Sequence, residues 1–505
     1  MILNTRRLLV IGLILFIPAA LTALGATPSD ASADGGGRTY NLTDYGGVGD
    51  GNTINTDAFR KAIETCAANG GGRVRVPAGT FVTGPIQLMS GVDMHVDRDA
   101  VVLFSRKLDD YPLVKANWEG RPTVMCQAPI SGDNLHDVSF TGPGTFDGSG
   151  DAWRMVKQDK LTSEQWDKLV KSGGYVDVKK KTWYPSEAVP KLAPALKKLR
   201  DAAGEPNTDD YTKYRDLLRP ELVRITNSNH VTLDGPTFRN SPSWNIHVLY
   251  CENVAVRNVT LFNEAYAQNG DGIDVDACRN VRITDSAIYA GDDDICLKSG
   301  RDEAGRRAGR ATENVTVDNC TIFWGHGGLT IGSEMSGGVR NVNVTNCIMR
   351  GTDIGLRFKT TRGRGGVVEN VNVANIAMHD IKGTAILFDM YYQVKGKPTT
   401  EPVSERTPIF RQFAINNVTC QGAKTALEIR GLPELAISDI TLRDVQIESR
   451  AEPALQTTGS VRNLSVDRFT AIVKHGMSTT QPSVPADERV KPVVEKTDEG
   501  GDENK

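Results

Sequence analysis

The sequence predicts an all-β fold: a solenoid of short stacked strands, that is, a parallel β-helix, with one helical insertion. Three observations predict it. A seven-residue strand-like motif recurs through the middle of the chain. The stretches between its copies carry no helical apolar period. Fifty glycines among 505 residues suit a fold that turns often and tightly.

The repeat comes first, because a fixed period decides the architecture. Copies start at Asn253, Asn280, Asn314, Asn341 and Asn370 and read NVAVRNV, NVRITDS, NVTVDNC, NVNVTNC and NVNVANI; the starts are 27, 34, 27 and 29 residues apart. Each copy alternates apolar β-formers with polar residues, the period of a strand. Weaker copies begin near Asp137, His230, Leu435 and Val461. A unit this short cannot bury its own apolar side, whereas stacked coils form long parallel sheets around a shared dry interior. Asparagine at equivalent positions predicts hydrogen-bonded ladders along the stack, or left-handed bends. A β-propeller fits less well, since its blades need about 40 residues or more.

The remaining segments follow in chain order. Arg6 and Arg7 precede an apolar run from Leu8 to about Leu24, and Ala31-Ser32-Ala33 fits an Ala-x-Ala cleavage site. Residues 1–33 therefore read as an export signal. Pro18 and a run short of the ~20 apolar residues of a membrane span argue against a stable membrane anchor, so a secreted or periplasmic protein is expected. The β-helix is expected over 34–476. Within it, residues 154–218 are lysine-rich and read as a helical insertion, with a capping box at Thr162–Gln165 and a stop at Gly173 and Gly174. Residues 477–505 hold proline, seven acidic and four basic residues without an apolar period, and read as a disordered acidic tail.

Composition excludes some classes. The formal charge is −3 and becomes −4 once residues 1–33, with two arginines and one aspartate, are removed. A net acidic protein is a poor non-specific binder of nucleic acid. None of the eight cysteines forms a C-x-x-C pair, so a zinc site is not expected. Cys320 and Cys347 occupy matching repeat positions, which suits a stacked column of thiols as well as a disulfide.

Four clusters carry candidate chemistry: Asn269-Gly270-Asp271, Asp292-Asp293-Asp294 with Lys298, Gly325-His326-Gly327, and Arg357-Phe358-Lys359. Asp292 lies twelve residues after Asn280, and His326 twelve after Asn314; Asp271 and Arg357 lie eighteen and sixteen after their own repeat starts. Successive coils thus place them at similar angles, and adjacent strands are ~4.8 Å apart. The result is one stripe of carboxylates, an imidazole, a guanidinium and an ammonium. Crowded carboxylates raise at least one pKa, which makes a general acid, while an ionised neighbour activates water. Arg357 and Lys359 alternate along a strand and suit a sugar carboxylate; Asn269 and Lys298 are counted with them as substrate-binding. Taken singly, an Asp-rich turn can be a turn or a calcium site, a histidine between glycines can be structural, and Arg357 and Lys359 can be a solvated face. Their coincidence on successive coils favours a catalytic site.

These motifs closely resemble glycoside hydrolase family 28, the polygalacturonases, whose signatures Asn-Thr-Asp, Asp-Asp, Gly-His-Gly and Arg-Ile-Lys occur in this order. The residues Asp44–Gly51, Val76–Thr80 and Ser241–Trp244 resemble its bacterial branch, and the likeness spans roughly 38–470. The resemblance implies a right-handed β-helix and hydrolysis of α-linked galacturonosyl bonds with inversion. It implies Asp292 as general acid, Asp271 and Asp293 holding and activating water, His326 tuning the acid, and Arg357 and Lys359 binding the uronate. No cofactor or metal is expected. The partner is a pectic polysaccharide or oligogalacturonide, and the chain is expected to act as a monomer. Two departures stand out. Gly270 replaces threonine, which would loosen the turn or admit another sugar. The insertion would close the groove and favour exo action, with Lys179, Lys180 and Lys181 attracting an anionic chain end. The alternatives are a rhamnogalacturonan or other galacturonoside hydrolase, a calcium-dependent pectate lyase, and a non-catalytic carbohydrate-binding β-helix.

Overall fold

The computed structural model describes residues 37–473 apart from 203, 395–398 and 451–454. The expected export signal (1–33) and acidic tail (477–505) lie outside the described residues. The chain folds as a right-handed parallel β-helix whose strands form two large sheets, of 21 and 11 strands. The larger sheet holds two rows of strands, which fuse from Val339–Arg350 onward into single strands of 12 to 15 residues. The smaller sheet is the third row, one strand per coil.

The alternating pattern explains the interior. Val231, Val254, Val281, Val315, Val342 and Val371 are direct neighbours in register down the first row, and all are buried. Each buried valine contributes about 1.5–3 kcal/mol relative to exposure. The polar residues between them face outward, so a slip by one position would turn the whole apolar set to solvent.

The repeated asparagines do both things expected of them. Asn253, Asn280, Asn314, Asn341 and Asn370 have φ of 53–57°, the left-handed bend that asparagine tolerates better than most residues. Their amides also form a ladder: each Nδ2 donates to the Oδ1 one coil earlier, at 3.1, 3.0, 3.1 and 2.7 Å. The one long interval, 34 residues, accommodates the seven-residue helix Asp302–Ala308. All eight cysteines are buried free thiols. Cys320 and Cys347 stack on neighbouring coils, since Thr321 pairs with Ile348.

Three features depart from the sequence reading. An amphipathic helix, Thr56–Ala68, buries Ala58, Phe59, Ala62, Ile63 and Cys66 against the first coils and covers the open end of the stack. An antiparallel hairpin, Leu113–Trp118 with Arg121–Cys126, stands off the coil. The segment 154–218 is not purely helical. It carries the helices Ser163–Lys171, with its capping box formed, and Ala188–Asp201, but also a three-stranded antiparallel sheet of Val156–Lys157, Tyr175–Asp177 and Thr182–Tyr184. Hairpin and insertion share a small core that includes Val124, Leu196, Tyr211 and Leu218. Among the described residues no helix is long and apolar enough to cross a membrane.

Candidate active site

Four consecutive strands of the eleven-stranded row, Ile273–Asp276, Asp293–Lys298, Gly327–Ile331 and Leu356–Lys359, carry or flank the four clusters. Asp271 precedes the first strand, Asp292 precedes and Asp293 opens the second, His326 precedes the third, and Arg357 and Lys359 share a face of the fourth. One carboxylate oxygen from each of Asp271, Asp292 and Asp293 lies within 4.8 Å of the others. The glycines around His326 follow from this crowding. A Cβ on Gly325, where φ is +72°, would fall 2.1 Å from Asp294 Oδ2, and one on Gly327 would fall 2.9 Å from Arg357 Cδ and 3.0 Å from Asp293 Oδ1.

Asp293 is buried. Arg357 Nη1 donates to its Oδ1 at 2.8 Å and Lys359 Nζ to its Oδ2 at 2.6 Å. Burial alone would raise its pKa, but the charges of Lys359, Arg357 and Lys298 overcome burial and hold the carboxyl far below the ordinary range. Two side chains expected to grip a sugar carboxylate are thus already engaged with Asp293, although both keep further N–H groups. Their other neighbour is Tyr392, whose ring lies 4.8 Å from Lys359 Nζ and 5.6 Å from the Arg357 guanidinium. The three clustered carboxylates have spacing that a divalent ion could use. A hard cation gathers six or more oxygens, however, and one of the three carboxylates is here bound to two cationic side chains.

Asp271 is also buried, and its Oδ1 has no hydrogen-bond partner. Burial, then the charges of Asp274 and Asp292, push its carboxyl well above the usual range. Asp294, buried with both oxygens unpartnered, is pushed up by burial and by Asp293. Asp292 is the more open carboxylate of the site, its side chain 19% exposed against 2% for Asp293. It lies 2.9 Å from His326 Nδ1. The far nitrogen of that ring, Nε2, lies 3.3 Å from Lys160 Nζ and 3.8 Å from Asp353 Oδ2.

Lys160 belongs to the insertion, and sequence reasoning missed it. The lysines singled out there, Lys179, Lys180 and Lys181, are exposed, and Lys180 pairs with Asp177 of its own turn at 3.7 Å. Lys298 is buried between Asp274 and Glu334, at 3.5 and 3.4 Å, under the Trp244 ring. Its part at this site is therefore electrostatic support of the carboxylates rather than a reach into open space. Asn269 sits in a left-handed bend, φ 54°, and its Oδ1 accepts from Arg219 Nη2 at 3.0 Å. Gly270 does not loosen the turn. Its N–H donates to Ala267 O at 3.0 Å, and a Cβ there would fall 2.8 Å from Ala267 Cβ, so the room a threonine would need is filled from within.

Comparison with known proteins points the same way. Residues 200–470 match the sequence profile of the glycosyl hydrolases family 28. A probable polygalacturonase of Vitis vinifera is 30% identical over 428 residues, covering 81% of this chain and 74% of that one. An exo-poly-alpha-D-galacturonosidase of Dickeya chrysanthemi is 28% identical, covering 78% of this chain and 64% of that one. The crystal structure of a hyperthermoactive exopolygalacturonase from Thermotoga maritima superposes with a TM-score of 0.72 at 29% identity, over 86% of this chain and 91% of that one.

Proposed function

From the premise that the chain belongs to glycosyl hydrolases family 28 and is a glycosidase, we propose that it hydrolyses α-linked galacturonosyl bonds of pectin, releasing sugars from a chain end. One observation carries the reading: four successive strands gather a carboxylate held ionised by two cations, a second carboxylate touching a histidine, and a third raised by both burial and repulsion.

Asp292 is the general acid. It is the carboxyl that is open to the groove and hydrogen-bonded to His326, and it passes its proton to the glycosidic oxygen as the C–O bond breaks. Asp293 is the base: held ionised in the resting site by Lys359 and Arg357, it takes the proton from the water whose oxygen attacks the anomeric carbon. Asp271 helps to hold that water. Burial and the charges of Asp274 and Asp292 push the carboxyl of Asp271 upward. Of the two carboxyls, Asp292 is the one open to the groove and able to reach a leaving group. Arg357 and Lys359 bind the sugar carboxylate with the donors that Asp293 leaves free. The carboxylate oxygens are closer than the ~6.5–9.5 Å usual for inverting pairs, so inversion rests on family membership and is read directly from the anomer first released. Exo action is supported by the two exo-acting relatives and by the insertion reaching His326. A monomer, acting outside the cytoplasm on its polymer, completes the reading.

The test is product release from polygalacturonate and rhamnogalacturonan, with and without chelator, followed by NMR of the first anomer. Galacturonate or its dimer is expected from polygalacturonate, undiminished by chelation, and Asp292→Asn should lose on the order of 10²–10⁴-fold in turnover. Loss of activity on chelation, with unsaturated products, would show a lyase instead.

A further inference from the structure

A cavity of about 610 Å³ lies between the hairpin and the helix Ala188–Asp201, with Arg219 and Arg301 on its wall. Five cationic side chains and three carboxylates line it. The carboxylates are already in use: Glu119 pairs with Arg301 at 2.8 Å, Asp201 with Lys197 and, at 3.6 Å, with Arg121, and Asp216 accepts from Ser186. Two guanidiniums are left over. Among the described residues, neither Arg200 nor Arg219 has a carboxylate within ion-pair reach. Arg200 uses one of its five N–H groups, donating from Nε to Thr123 Oγ1 at 3.1 Å. Arg219 donates only to neutral oxygens, those of Pro242, Gln268 and Asn269, at 3.1, 2.9 and 3.0 Å.

Both guanidiniums are half-buried, and a partly desolvated cation without a counter-charge gains from an anion. Burial lowers the pKa of both, and burial with the charges of Arg154 and Arg200 brings Arg219 down to about 10. A planar fork of N–H donors matches a carboxylate in two parallel bonds. Trp118, stacked on Trp244 with ring centroids 4.8 Å apart, adds an aromatic wall of the kind on which a sugar ring packs. The cavity also borders the chemistry, since Arg219 holds Asn269, two residues before Asp271.

We propose that this cavity is a second uronate site, in which Arg200 and Arg219 hold the carboxylate of the chain-end galacturonosyl unit while Trp118 packs against its ring. The proposal rests on the hydrolase reading above and adds to it the group that selects an unesterified chain end. Arg357 and Lys359, engaged with Asp293, serve the sugar at the scissile bond.

Arg200→Ala tests it, because Arg200 touches none of the carboxylate cluster. Trigalacturonate and its methyl-esterified form are compared as substrates of the full-length protein, and as ligands in calorimetry on an Asp292→Asn background. Arg200→Ala is expected to raise KM and Kd for trigalacturonate about tenfold, as for the loss of a charge-assisted pair, with a much smaller fall in kcat. It should leave the neutral ester unchanged. A folded variant with unaltered KM and Kd for the acid overturns the proposal. Should Arg200→Ala fail to fold, Ala193→Trp, at an exposed position on the cavity rim, fills the space instead, and an unchanged KM then overturns it equally. If the parent protein hydrolyses no galacturonoside, the hydrolase reading fails by itself, and the calorimetric comparison still decides whether the cavity binds uronate.

Discussion

Asp293 shows how single residues are assigned work by their neighbours. In an apolar pocket without partners a carboxyl would be neutral; here Lys359 and Arg357 take both of its oxygens. Their effect has a sign that can be measured. Lys359→Met removes the largest of the charges opposing burial, so the pKa of Asp293 rises toward its ordinary value. The base is then lost to protonation at a higher pH, and the acid limb of kcat/KM moves upward, while the alkaline limb stays. Lys359→Arg should restore it. A profile that keeps its acid limb while KM alone rises would reduce Lys359 to a binder of sugar carboxylate. The sequence could not distinguish these roles. It put Arg357 and Lys359 on one face of one strand, which is correct, but the partner of that face is decided by the coil two strands earlier.

At the scale of strands and coils, the third row stacks side chains of one register into columns, and each column has its own electrostatics. One column places His247 between Arg224 and Asp274. The imidazole is buried, 3.2 Å from Glu221 Oε1 and 3.5 Å from Asp276 Oδ2. Burial works against its charge, but these two carboxylates prevail and raise its pKa to about 9. A base whose folded pKa exceeds its unfolded value of ~6.5 stabilises the fold fully below that value and loses the contribution as pH rises through the folded one. His247→Gln should therefore cost most stability near pH 6, and the gap in melting temperature to the parent should shrink between about pH 7 and pH 10. A gap independent of pH would mean that the imidazole matters only by filling space. Columns of this kind were legible where the repeat carried them: the asparagine ladder, the valine stack and the four-strand stripe all follow from copies at near-constant spacing. Contacts made by segments outside the repeat were not. Lys160 meets His326 across 166 residues, and Arg219 meets Asn269 across 50, with no period to announce either. The only signal was the basic composition of 154–218, and it pointed to Lys179–Lys181, which the chain leaves in solvent. The helix Thr56–Ala68 was missed for a different reason. It is needed once, to close an end, and a single cap has no second copy to reveal it.

For the whole molecule, the question is whether the groove along the coil is open at both ends. A polymer can be cut internally only if it can lie across the carboxylates and leave on both sides. Here the insertion is fixed to the coil beside them. Arg154, 1% exposed, donates to Ser241 O at 2.7 Å, Asn240 Oδ1 at 2.9 Å and Glu264 Oε2 at 3.0 Å. Pulling the segment away would strip a buried guanidinium of all three of its acceptors, which is unfavourable, so the segment does not swing away freely. Lys160 then sits on the histidine of the site, and the helix Ala188–Asp201 walls the arginine cavity. On the exo-acting reading proposed above, a chain entering from the open side meets the insertion as a closed end, where cations suit a terminal uronate. On polygalacturonate, reducing ends should therefore accumulate well before viscosity falls, with galacturonate or its dimer as the first product at every stage of the time course. An internal cutter halves the mean chain length with few cleavages. A steep early loss of viscosity with mixed oligomers would thus show that the insertion covers the outside of the coil and leaves the groove open.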